Sequence, residues 1–381
     1  MQTIQTNRMT VAKFGGTSLG TSFGFECSRR WIKSGENVRV VVASAPGKAG
    51  FINRASKYDN VKVTDRLYEI RRLHALGLPY TDQAEAIATR FSEIERGMIV
   101  RGVSHTVEEQ IDRCLRTNDD SLIVLGEFLN ARLMVNYLNE TGVPAVFADP
   151  GKINFMVQRN GDVWEVDRSR YGEIEQGVMG LANKEKKIIV TPGFCGIDKD
   201  GAIWALSRGG SDYTGIVIAV ALHGAHLNGT DTDGMNMVEP EVAKNALRIT
   251  NLTNNELFWL TRGGKFGIFQ DMAAAALLGH DVPVRVVDTF NIYSEGTTVT
   301  ATLQNDGRFQ VAGMVPRGDS LVSLVGEKIG SALVDEAASI LEGSGAVVKN
   351  VFKDGINLMF EIANMTATKG VRIVYRNLVP Q

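Results

Sequence analysis

The chain is poor in the features that mark secretion, membranes or nucleic acid. Its three cysteines, Cys27, Cys114 and Cys195, lie far apart and form no CxxC pair, so neither a disulfide framework nor a structural zinc site is expected. Charge of one sign is not in surplus either: 41 Lys and Arg stand against 43 Asp and Glu, a net of -2. That removes the electrostatic reason to expect nucleic acid or an anionic membrane surface as partner. No apolar run approaches the ~20 residues of a membrane span, and MQTIQTNRMT has neither the basic start nor the apolar core of a secretory signal. Internal repeats and low-complexity tracts are absent. A soluble, cytoplasmic protein with a small-molecule partner is the expectation.

What remains is long enough, at 381 residues, for two domains, because single cores stop growing near ~250 residues. From residue 10 to about 300, β-branched runs alternate with helical stretches, the pattern of an α/β layered domain with a mostly parallel sheet. The strand candidates are TVAKF (10–14), VRVVVAS (38–44), PAVFA (144–148), KIIVTPG (187–193) and PVRVV (283–287). Strands this apolar are expected to be covered on both faces. Helices are predicted over 121–140 and 212–224, the second apolar nearly all round and therefore buried. After EGTTV (295–299) the texture changes to a small βαββα pattern: strands at 320–326, 346–352 and 356–362, helices at 331–345 and 366–379.

Two glycine turns carry the chemistry. In VAKFGGTS, Lys13 closes a strand and Gly15, Gly16, Thr17 and Ser18 form the turn behind it. Glycines let backbone amides approach an anion, and a following helix would aim its positive end at the same spot. LSRGGSDYTG (206–215) repeats the construction, with Ser211 expected at the N-cap of the buried helix and Arg208 suited to grip a carboxylate. Two such turns in one domain can face one polyanion or one substrate carboxylate. In GTDTDG (229–234), Asp231 and Asp233 flank a turn that composition alone reads as solvated, and its spacing is not that of a calcium loop. Glu127 is an acid in an apolar stretch and must meet a cation, from the protein or from a ligand amine.

Together these residues resemble the aspartokinases of the amino acid kinase family. The match runs in order through KFGGTS, VVASAPGK with KVTD, GEFLNARLM, GFCG, SRGGSD, TDTDG and RGGKFG (262–267). The resemblance implies a three-layer sandwich with a mostly parallel central sheet, in residues 1–299, that phosphorylates the β-carboxylate of L-aspartate with Mg-ATP. It implies that Lys13, Gly15, Gly16 and Lys265 hold the phosphates, and that Thr230 and Asp231 border the nucleotide. Ser44, Thr64, Glu127, Arg208 and Ser211 would line the aspartate site, with Glu127 on the amine and Arg208 on the α-carboxylate. Asp212 would orient the cationic groups between the two halves. Residues 300–381 resemble a single α+β ACT-like module, which implies a homodimer and an amino acid effector. No metal site built from protein residues alone is implied.

The chemistry is consistent with that assignment. A carboxylate nucleophile with an ordinary pKa of about 4 is already ionised at neutral pH and needs no general base. Positioning and charge neutralisation are the tasks that remain. The sequence departs from the family pattern at Ser207 and Gly215, at Asn236 where a tyrosine is usual, and at Glu239-Pro240-Glu241 where Asp-Pro-Arg is usual. The changes at Asn236 and at Glu239-Pro240-Glu241 replace an aromatic surface and a cation on the nucleotide side. Two other functions stay open at this point: a kinase of the same fold for another amino acid, and a non-catalytic subunit that senses an amino acid.

Overall fold

The computed structural model describes residues 8–48, 62–262, 265–302 and 310–379. By its contacts the chain divides into two units, Met1–Thr232 with Val286–Ser294, and Asp233–Arg285 with Glu295–Gln381.

In the first unit six strands lie side by side, in the order Val284–Asp288, Ala225–Thr230, Thr10–Phe14, Val38–Ala43, Ile188–Pro192, Ala145–Phe147. The first of these enters from the second unit and completes itself in the first. Thr10–Phe14 runs parallel to both its neighbours, and the pairs from Val38–Ala43 through Ile188–Pro192 to Ala145–Phe147 are parallel as well. Alternation along the strands sorts their side chains into two layers. Ala12, Phe14, Val41, Ala43, Leu227 and Val287 face one core with the helices Ser22–Lys33, Val63–Ala75, Thr81–Glu95, Val107–Cys114 and Leu125–Glu140. On the opposite face, Lys13 and His226 meet Gly215 of the helix Gly210–Ala221. Helices on both faces of a parallel sheet make the three layers the sequence implies.

Of these six strands, one is absent from the sequence expectation. Ala225–Thr230 (AHLNGT) is buried along its whole length, although it carries His226, Asn228 and Gly229. It has no run of β-branched residues, and its apolar–polar alternation lasts only from Ala225 to Asn228, so little local marks it. Its place beside Thr10–Phe14 is set by the sheet, not by its own propensity.

The second unit contains the parallel pair Asn251–Thr253 and Thr297–Thr300, the helix Asn254–Thr261 closed by a Thr253/Glu256 capping box, and a four-stranded antiparallel sheet. That sheet runs in the order Gly313–Arg317, Leu321–Val325, Asn357–Ala363, Val347–Asp354, with helices Ser331–Gly343 and Ala367–Leu378. Four strands replace the three expected. Gly313–Arg317 (GMVPR) is an edge strand, where Pro316 costs no internal ladder bond, and its glycine and proline hide it from pattern reading.

Candidate active site

The parallel strands end at a cluster of turns, the usual place for a ligand in an open α/β sheet. Strand Thr10–Phe14 delivers Lys13, 6% exposed, onto the face of the helix Gly210–Ala221. Its Nζ lies 2.8 Å from Asp212 Oδ1, in the first turn of that helix. Nζ also donates to Asn228 Oδ1 at 3.4 Å. The same Nζ stands 3.5 Å from where a Cβ on Gly15 would be. The lysine therefore folds back over its own glycine turn.

Gly16 needs its missing side chain, since a Cβ there would stand 2.6 Å from the Ala45 carbonyl oxygen and 2.8 Å from the Gly47 nitrogen. The Gly47 amide donates to Gly16 O at 2.9 Å, so the two turns are tied backbone to backbone. Arg90, buried, locks them further by donating to Gly20 O at 2.7 Å and Gly47 O at 3.0 Å. Asn130 donates to Ser44 O at 2.7 Å. Neither Arg90 nor Asn130 was visible as a site residue, because their partners are carbonyls remote in sequence. The helix expected directly behind Gly16 begins only at Ser22, with Thr21 capping the Gly24 amide. The Gly15 amide is itself taken by the Gly229 carbonyl at 3.1 Å, so any anion held at this turn must use its later amides.

At the second glycine turn the N-cap is Gly209, not Ser211. Its φ of 78° is the left-handed region that favours glycine, and the helix starts at Gly210. Ser211 lies inside the first turn, with its Oγ 2.7 Å from the Cβ that Gly193 lacks. The first amides of a helix have no intrahelical acceptor and offer themselves to an anion.

The lone acid of that apolar stretch is Glu127. It opens the helix Leu125–Glu140, is 4% exposed, and makes no salt bridge with any described residue. One of its carboxylate oxygens, Oε2, is buried with no hydrogen-bond partner. Burial pushes its pKa up to about 8, against the pull of the Glu127 and Ala45 backbone amides and of Lys62. Gly126 lets this helix touch Ala45 and Val63, at 2.8 and 2.9 Å from its absent Cβ. Glu127, Ser44 and Thr64 are therefore neighbours of touching residues. Arg208 is exposed and forms no ion pair with a described residue. The Tyr68 phenol, raised first by burial and then by Asp120, feels Glu127 as a further anion and Arg208 as a cation beside Arg71.

Thr230 ends the central strand, where its carbonyl accepts from the Thr289 amide at 2.8 Å, and its hydroxyl donates to the exposed Asp231 at 3.2 Å. Lys265 belongs to the second unit, in the short strand Lys265–Phe266. Its side chain, with Gly263 and Gly264, lies outside the described residues. In that unit Glu239 accepts from the Gly267 amide at 2.5 Å, and Arg372 donates to the carbonyls of Glu241 and Val242. The described residues contain no group of three or more His, Cys, Asp or Glu placed to hold a metal.

Comparison with known proteins follows the same line. Residues 8–288 match the model of the amino acid kinase family. The chain is 28% identical over 306 residues to aspartokinase 3 of Bacillus subtilis, covering 78% of this chain and 64% of that protein. It is 26% identical over 330 residues to lysine-sensitive aspartokinase 3 of Escherichia coli, covering 84% and 70%. It thus spans 64% and 70% of the lengths of these two relatives. In fold it is similar to the aspartate kinase of Clostridium acetobutylicum, with a TM-score of 0.76 at 20% identity over 97% of this chain and all of that one. It is also similar to E. coli aspartokinase III in complex with aspartate and ADP, with a TM-score of 0.67 at 23% identity over 97% and 83%. With the family model covering most of its length, the chain belongs to the amino acid kinase family.

Proposed function

We propose that this protein is an aspartate kinase that transfers the γ-phosphoryl group of ATP to the β-carboxylate of L-aspartate, giving 4-phospho-L-aspartate. The observation that carries this reading is Glu127, a buried carboxylate with a partnerless oxygen. Such a group is costly unless a cation joins it, and the α-ammonium of an amino acid is that cation. Arg208, exposed and without an ion pair among the described residues, takes a carboxylate of the same zwitterion. Ser44, Thr64 and Ser211 complete the pocket.

Lys13, held by Asp212 over the Gly15–Gly16 turn, neutralises charge on the phosphates as the phosphoryl group moves. The turn amides and the amides at the start of the helix Gly210–Ala221 add donors without reorganisation. The β-carboxylate attacks as the anion it already is, so no residue acts as base. Thr230, Asp231 and Lys265 serve the nucleotide. No described cluster fits a resident metal; Mg²⁺ enters on the ATP phosphates and supplies charge neutralisation there.

Residues 1–299 form the catalytic domain and residues 300–381 an ACT-like module that binds an amino acid effector. The protein is a cytoplasmic homodimer. The strand Val347–Asp354 supports this: it is the outer strand of its sheet and leaves Val347, Val351 and Phe352 about half exposed, an edge suited to a second copy.

Hydroxylamine trapping of acyl phosphate, with Mg-ATP and L-aspartate beside L-glutamate and no acceptor, tests the function. Product with aspartate is expected. No product above a Lys13→Ala control would end the proposal.

A further inference from the structure

The strand that sequence patterning misses also supplies a side chain that no motif predicts. Asn228 is fully buried and stands opposite Lys13 in the parallel register of the two strands. Its amide oxygen accepts from Lys13 Nζ at 3.4 Å. Its amide nitrogen donates to Asp212 Oδ1 at 2.5 Å, the same oxygen that Lys13 reaches at 2.8 Å. Lysine, aspartate and asparagine close a triangle beneath the glycine turn.

We propose that Asn228 is a positioning residue for phosphoryl transfer, which fixes the direction of the Lys13 ammonium by bracing it and Asp212 at once. The inference rests on the roles of Lys13 and Asp212 given above. An ammonium has three donors on a flexible four-carbon stem. One ion pair leaves it free to swing about its carboxylate. A second fixed acceptor removes that freedom and leaves the third N–H for a ligand oxygen over Gly15. The amide suits this place because it accepts from the cation and donates to the anion while adding no charge. A carboxylate here would cancel the lysine's pull on phosphate, and an apolar side chain would leave both partners unbraced.

The surroundings keep the triangle electrically simple. His226, two residues earlier on the same strand face, is buried, and its Cε1 fills the space that Gly215 leaves, 2.5 Å from the absent Cβ. Burial holds its pKa down to about 4, so it is neutral at the pH of any assay near 7. Lys13, Asp212 and His226 are the titratable groups placed around Asn228 by these contacts.

Two variants of matched size test the proposal in the acyl phosphate assay, each expressed as a ratio to the unaltered protein at the same pH. Asn228→Leu should lower kcat at least about tenfold while KM for aspartate changes less than about twofold. Asn228→Asp keeps shape and offers a donor to Asp212 only while it carries a proton. Its relative kcat should therefore fall as pH rises and recover as pH is lowered, a dependence that a packing role would not produce. Unchanged kcat in both variants, or a pH-independent loss in Asn228→Asp, would overturn the inference. Lys13→Ala in the same experiment separates the two claims. If it is inactive while both Asn228 variants match the unaltered protein, the bracing role alone fails; if it is as active as the unaltered protein, the kinase reading fails.

Discussion

Replacing Glu127 with glutamine should make the free protein more stable and its amino acid site empty. Burial moves this carboxyl from an ordinary 4.5 to about 8. The folded protein therefore keeps a proton that the unfolded chain releases near pH 4.5. Between those values the folded state binds more protons, so stability falls as pH rises through the window and levels off above about 8. At about 1.4 kcal/mol per tenfold, the strain amounts to about 3 kcal/mol at pH 7 and about 5 kcal/mol well above pH 8. Glutamine carries no charge to desolvate, and its own imperfect hydrogen bonds take back about 1 kcal/mol. Glu127→Gln should thus raise the thermal midpoint by a few degrees at pH 7.5 and by nearly nothing at pH 4.5. Aspartate should then fail to protect the variant against heating, although it protects the parent protein. Binding to the parent at pH 7 should also release close to one proton, measured as the buffer dependence of the calorimetric heat. A variant less stable than its parent at pH 7.5, or a difference that does not grow with pH, would mean that Glu127 is already paired, and the argument for an amine ligand would fall with it.

Lys13→Ala leaves Asp212 buried without its cation, so it should lose about 3 to 5 kcal/mol of stability, read by urea melting, as well as acyl phosphate formation. Gly16→Ala forces a methyl against the Ala45 and Gly47 backbone and should cost about 1 to 3 kcal/mol and most of the activity. Gly180→Ala is the control: within the helix Tyr171–Glu185 it faces open space and should add about 0.5 to 1 kcal/mol in the same melts. Val351→Lys, on the exposed edge strand, should shift the protein to monomer in sedimentation without altering its melting.

The parts of this molecule that were legible in the sequence are those whose role shows in one short segment. Thr10–Phe14, Val38–Ala43 and Ile188–Pro192 are apolar because both faces are covered, and pattern reading finds them. Lys13, Asp212 and Arg208 stand out because glycine pairs flag their turns. Glu127 stands out because a lone acid among apolar residues raises a question of energy, and one of its oxygens is buried without a partner among the described residues. What stayed hidden depends on residues far apart in the chain. Arg90 is an ordinary surface-type residue until Gly20 and Gly47 present their carbonyls to it. Ser211 looks like a cap until Gly209 turns left-handed before it.

Ala225–Thr230 is the sharpest case, and it joins fold to function. A strand at the middle of a parallel sheet should be its most apolar segment, yet His226 and Asn228 occupy successive positions on one face of it. Local consistency is broken here, and neighbours offset the cost only in part: Asn228 is satisfied by Lys13 and Asp212, whereas His226 stays neutral in the space that Gly215 provides, with both ring nitrogens buried and without a hydrogen-bond partner among the described residues. The glycine at 215, which in sequence stood only as a departure from the family pattern, gives the histidine opposite it its space. A polar pair at alternate positions just before an Asp-rich turn is the signal that would have located both the missing strand and the missing residue.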